Sequence, residues 1–143
     1  MITCSFAGHR EVYQPDIEDD LDATLSNLIE SNTDSFSFLV GGMGEFDRLC
    51  ASAVRRMKRV YDDRTISLAV VLPSFRQELN LDKAYYEQFY DDVIIPDEIA
   101  GVHYKAAITK RNRWMVDRSQ ILIAFVSRDF GGAFSTMKYA KKK

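Results

Sequence analysis

Three glycine-bearing turns in this 143-residue chain stand beside residues that can bind an anion or move a proton. Gly8-His9-Arg10 offers a ring nitrogen and a guanidinium. Gly41-Gly42-Met43-Gly44-Glu45-Phe46-Asp47 places two carboxylates directly after its glycines. Gly131-Gly132 is followed by the hydroxyls of Ser135 and Thr136. Glycine lets a backbone approach a ligand closely, and a helix that starts there aims free amides at an anion. Carboxylates repel a phosphate, so Glu45 and Asp47 suit ribose hydroxyls. They equally suit capping and dipole complementation of their own helix. No acid follows Gly132, and Arg128 offsets Asp129, so Gly131, Gly132 and Thr136 are the expected phosphate cradle. Arg76 adds a cation after a third apolar run. Arg111 and Arg118 fall on an otherwise apolar helical stripe, where a guanidinium needs an anion or an ion-pair partner such as Asp117.

These residues need elements to hold them. Apolar runs at 2–7, 36–40, 66–72, 93–95 and 121–126 predict five strands. Pro15 opens a helix whose stripe is Ile17, Leu21, Leu25, Leu28 and Ile29. A second helix, about 46–60, puts Phe46, Leu49, Cys50, Ala53, Val54, Met57 and Tyr61 on one face. Arg55, Arg56, Lys58 and Arg59 lie mostly off that face and read as a solvated cluster. Further helices are expected at 77–90, after a loop from 97 to about 105, and at 133–141. The aromatics Tyr85, Tyr86, Phe89 and Tyr90 read as core. Strands alternating with helices imply an α/β fold: a Rossmann-like three-layer sandwich of five mainly parallel strands, helices on both faces. The expected strand order is 3-2-1-4-5, with the reversal between strands one and four. In such a sheet ligands bind beyond the carboxyl ends of the strands, where all the glycine turns fall.

Composition narrows the classes. The length suits one domain over residues 1–143. A formal net charge of −2 argues against general nucleic-acid binding, while leaving room for a local basic patch. Cys4 and Cys50 read as buried small hydrophobes in a reducing cytosol, and no close Cys or His pair suggests a metal. With no leader-like start and no long apolar run, the expected location is cytoplasmic. No Walker-type loop and no Gly-x-Gly-x-x-Gly spacing is present.

Taken together the motifs resemble the SLOG superfamily of DprA-type and LOG-type Rossmann-like proteins, specifically its small bacterial members. Phe6-Ala7-Gly8-His9-Arg10 is similar to their "TGHR" opening. Gly41 to Asp47 is similar to their glycine-rich element ending in aspartate. Arg111-Asn112-Arg113-Trp114-Met115-Val116-Asp117-Arg118-Ser119 is similar to an "RN-x-x-M-x-x-x-S-D" helix, with Gln120 in place of the acid. Gly131 to Thr136 is similar to a closing "GG-x-x-x-T" element. The resemblance implies a domain binding nucleotide-derived ligands, with Arg111 and Asn112 on the site. LOG-type enzymes hydrolyse the N-glycosidic bond of nucleoside monophosphates with a helix arginine, matched by Arg111, and a glutamate. Here Phe130 replaces a proline, Phe134 a glycine, and Met137-Lys138 occupy the glutamate positions.

The expected function is therefore a sensor or binding module for a nucleotide or nucleotide-derived small molecule. Its expected contacts are Gly8, His9, Arg10, Gly41, Gly42, Gly44, Asp47, Arg76, Arg111, Asn112, Gly131, Gly132 and Thr136. No further cofactor is assigned, and self-association is left open. The alternative is a nucleotide hydrolase using Asp47 or Glu45. A third reading is a partner-interaction protein presenting Tyr85 to Tyr90.

Overall fold

The structure, a computed structural model, describes residues 1–9, 15–42, 44–73, 83–99, 102–127 and 131–142. In chain order it contains β1 (Ile2–Gly8), α1 (Ile17–Ser31), β2 (Phe36–Val40), α2 (Glu45–Val60), β3 (Ile66–Val71) and α3 (Lys83–Phe89). There follow β4 (Asp92–Ile94), a 3-10 turn at Asp97–Ile99, α4 (Tyr104–Asp117), β5 (Ile121–Phe125) and α5 (Gly132–Lys141). The expected helix over 77–90 is described only from Lys83, and the expected loop after strand four holds the 3-10 turn.

All strand pairs are parallel, in the order β4-β3-β2-β1-β5. This corrects the order 3-2-1-4-5. It is β5, not β4, that occupies the free edge of β1. The reason lies in β4 itself, three residues long with an exposed Asp92. So short a strand cannot satisfy two neighbours and suits an edge. Asp91, just before it, ties that edge down: its Oδ2 accepts from the Leu68 amide at 2.7 Å and from Lys58 Nζ at 2.6 Å.

The two faces of the sheet are unequal. Phe36, Phe38, Val40, Leu68 and Val70 alternate onto the face covered by α1 and α2, where the main core sits. The α1 stripe is seated there through Ile17, Leu21, Leu25 and Ile29, with Leu28 only partly buried. Each such leucine contributes roughly 1.5–3 kcal/mol on burial. Ala51, missed by the spacing, joins the buried face of α2. The opposite face carries a small cluster of Leu39, Ala69 and Val71 under Met115 and Trp114 of α4.

The basic residues of α2 are not a merely solvated cluster. Arg55 stacks on the Phe89 ring at 5.2 Å, and Arg56 donates to Asp22 at 2.9 Å. With Lys58 on Asp91, three of the four strap α1, α3 and β4 onto α2; only Arg59 is exposed. The aromatics of α3 and Tyr90 just after it divide. Tyr86 and Tyr90 pack on the main core, while Tyr85 stays exposed.

Cys4 and Cys50 are free and buried. Burial pushes the Cys4 thiol up to about 12. Burial, with the Asp47 charge adding to it, pushes Cys50 well above the ordinary thiol value. Among the described residues no helix is long and apolar enough to cross a membrane.

Candidate functional site

The reversal of strand order falls between β1 and β5, so the chain parts in opposite directions beyond their carboxyl ends. A crevice is expected at that point, and a cavity of about 310 Å³ lies there. Its walls come from four places. Gly8 ends β1 and His9 follows it, Gly41 and Asp47 follow β2, Arg111 and Asn112 project from α4, and Gly131, Gly132 and Thr136 open α5. Nine of the thirteen residues expected to contact a ligand thus share one cavity.

Gly42, Gly44 and Glu45 are not on its lining. Gly42 and Gly44 instead shape the turn, with φ of 69° and 89°. Arg10 and Arg76 lie outside the described residues, as do Met43, Arg128, Asp129 and Phe130. Arg118 departs from its expected inward position. The helix ends at Asp117, and Arg118 swings outward, stacks over Trp114 at 3.9 Å and meets Glu98 at 3.5 Å. Asp117 accepts from the Tyr139 hydroxyl at 2.7 Å.

Arg111 is the buried cation of the site, 4% exposed. Its Nη1 donates to the Gly41 carbonyl at 2.7 Å and to the Val71 carbonyl at 3.3 Å. Its Nε donates to Asn112 Oδ1 at 3.0 Å. A guanidinium taken out of water needs such partners, and these fix it across the ends of β2 and β3. Gly41 makes the arrangement fit: a Cβ there would lie 2.9 Å from Asp47 Oδ2 and 3.0 Å from Arg111 Cζ. The carboxylate and the guanidinium therefore converge over one glycine. Gly8 serves packing, since a Cβ there would sit 2.3 Å from the Phe46 ring.

Gly132 is different. It has no left-handed φ, and among the described residues no atom lies within 4 Å of where its Cβ would stand. The first amides of α5 have no intrahelical acceptor and border the cavity, a geometry that favours an anion. Thr136 Oγ1 donates to the Gly132 carbonyl at 2.8 Å, so its proton is held within the turn. His9 bridges the parted strands: the Ser127 amide donates to His9 Nε2 at 3.0 Å. An accepting Nε2 places the proton of the neutral ring on Nδ1.

The sequence did not single out the apolar wall, made by Phe6, Ala7, Ile108, Met115 and Ala133. Ile108 and Met115 were within reach of it, three residues before and four after Arg111 on one helical face. A cation, a carboxylate, an anion-favouring helix end and an apolar wall together suit a small amphiphilic anion. Compared with family models and with curated proteins, the chain gives no match.

Proposed function

We propose that the cavity binds a phosphate-bearing, nucleotide-derived small molecule of mononucleotide size, as a sensor or binding module. In this reading the α5 amides at Gly132 hold the phosphate and Arg111 balances its charge. Asp47 takes the ribose hydroxyls, and the Ile108 and Met115 side faces the base. The carrying observation is the open cradle at Gly132 in the same cavity as a buried guanidinium and a carboxylate. A volume of about 310 Å³ lies at the lower end of small-molecule sites, which favours a mononucleotide over a dinucleotide. The motif resemblance to the SLOG superfamily supports the same ligand class.

The test is thermal unfolding against a panel of nucleoside mono- and diphosphates. A ligand at 100 times its Kd adds about 2.7 kcal/mol, a Tm rise on the order of 10 °C. Gly132→Asp should keep the fold and abolish the response. A panel with no response, or a response unchanged in that variant, defeats the proposal.

One observation favours a second reading. Asp47 is the only carboxylate among the described residues of the lining, where it could act as acid or base in N-glycosidic hydrolysis. Release of free base from nucleoside monophosphates, lost in Asp47→Asn, would establish it. Intact nucleotide after prolonged incubation would remove it.

A further inference from the structure

The net charge of −2 conceals two opposed halves. Residues 104–143, from α4 onward, hold ten Lys and Arg against two Asp and Glu, a formal excess of eight positive charges. Residues 1–103 hold nine against nineteen, an excess of ten negative charges. The fold separates these halves rather than mixing them. The acids of α1 lie over one face of the sheet, and α4 and α5 pack together over the other.

The basic layer also differs from the other cations of the molecule in its pairing. Arg55, Arg56 and Lys58 are engaged by acids, carbonyls and a ring of their own chain. Lys110, Arg113, Lys138, Lys141 and Lys142 are exposed and have no ion pair among the described residues. Arg113 of α4 lies 5.1 Å over the Tyr139 ring of α5 and joins the two helices, and within α5 Lys138 lies 5.5 Å over Phe134. Asp117, the one acid of these helices, is engaged by Tyr139.

We infer that the outer surface of α4 and α5 docks a nucleic-acid backbone. This surface is separate from the cavity and does not depend on what the cavity binds. The alternatives are a second copy of this chain, offering its acidic α1, or an acidic membrane. Area decides against the second copy. At 1.5 Å per residue α4 is about 21 Å long, and two helices 8–10 Å apart present on the order of 400 Å². A stable protein interface needs roughly 800 Å² on each side and a core depleted in lysine. A polyanion needs neither, because its affinity comes from released counterions. Along 21 Å a duplex offers about a dozen phosphates, one per ~1.7 Å of axis. The acidic α1 layer repels the same polyanion and orients the molecule basic side down. A membrane-surface helix pair needs an apolar face to bury, and among the described residues none of the exposed large hydrophobics lies on α4 or α5.

Fluorescence anisotropy with labelled 20-nucleotide single-stranded and duplex DNA, and the matching RNA, tests this between 50 and 200 mM salt. Binding should weaken steeply with salt, and steepest for the duplex. The variant Lys110→Gln/Lys138→Gln/Lys141→Gln/Lys142→Gln, its fold verified by an unchanged melting curve, should bind at least 10-fold more weakly with a shallower salt slope. Arg59→Gln, exposed on α2, should bind as the parent does. No binding of any oligonucleotide at 50 mM salt, or equal binding by the quadruple variant, overturns the inference. So does binding to phosphatidylserine vesicles without binding to oligonucleotides. A salt-labile oligomer by light scattering that the quadruple variant loses, with oligonucleotides inert, assigns the surface to a second copy instead.

Discussion

Helices α2 and α5 begin with the same backbone. Gly44 has φ 89° and ψ 175°, and Gly131 has φ 93° and ψ 178°, a conformation almost confined to glycine. In both, the glycine carbonyl accepts the first helical bond, from Arg48 at 3.4 Å and from Ser135 at 3.0 Å. The residues just after each glycine differ. The first turn of α2 carries Glu45 and Asp47 and buries Phe46 to 2% exposure. The first turn of α5 carries Gly132 and Ala133, no acid, and among the described residues nothing within 4 Å of where the glycines' Cβ atoms would stand. One helix end is neutralised and packed by its own chain. The other has no such acid or ring in its first two residues. Backbone shape alone does not mark an anion site; the side chains of the next three residues do.

The largest test of this contrast is packing. Phe46→Ala should cost about 3–5 kcal/mol in urea unfolding, and Phe134→Ala, half-buried one residue further into the first turn of α5, roughly 1 kcal/mol or less. Similar losses would mean that both helix ends are structural. Next come the two capping glycines. Gly44→Ala and Gly131→Ala should each lose about 1–3 kcal/mol, and by similar amounts, because the strain is the same. A mild Gly131→Ala would show that the second turn relaxes where the first cannot. Gly41→Ala should cost about 1–3 kcal/mol through the crowding of Asp47 and Arg111. Gly132→Ala should change stability by about 0.5 kcal/mol or less, since among the described residues its Cβ meets nothing.

The last effect is alkaline. Folding raises Cys4 and Tyr90 to about 12, chiefly by burial, and raises Cys50 as well. Above pH 9 the unfolded chain loses these thiol protons first, so stability should fall as pH rises from about 9 toward 12. Below pH 8 these groups should contribute no slope. Urea midpoints at pH 8, 9.5 and 10.5, in parent and Cys4→Ala, measure it. A parent midpoint flat across that range would show the two thiols equally protonated in the folded and unfolded chain.

Much of this was readable from the chain. The strands and the α1 stripe were legible because burial imposes period and run length on local sequence. The glycine turns were legible because few other residues hold those angles. Arg111 could be turned inward from spacing alone. Arg118 could not, because one residue decides whether it belongs to the helix or to its end. Strand order was not legible: it depends on how a three-residue β4 competes for an edge, a non-local matter. The bond between Ser127 and His9 was hidden for the same reason, being visible only once β5 stands beside β1.

That placement of β5 bears on how the protein is made. The free edge of β1 is synthesised well before the strand that covers it, which is 117 residues later in the Cys4–Ile121 pairing. At ribosomal speed the edge waits on the order of 10 s for its partner. During that time an apolar, unpaired strand can join another nascent chain. Chains ended by a stop before residue 121 should therefore collect in the insoluble fraction, and supplying the α4-β5-α5 segment in trans should return part of them to solution.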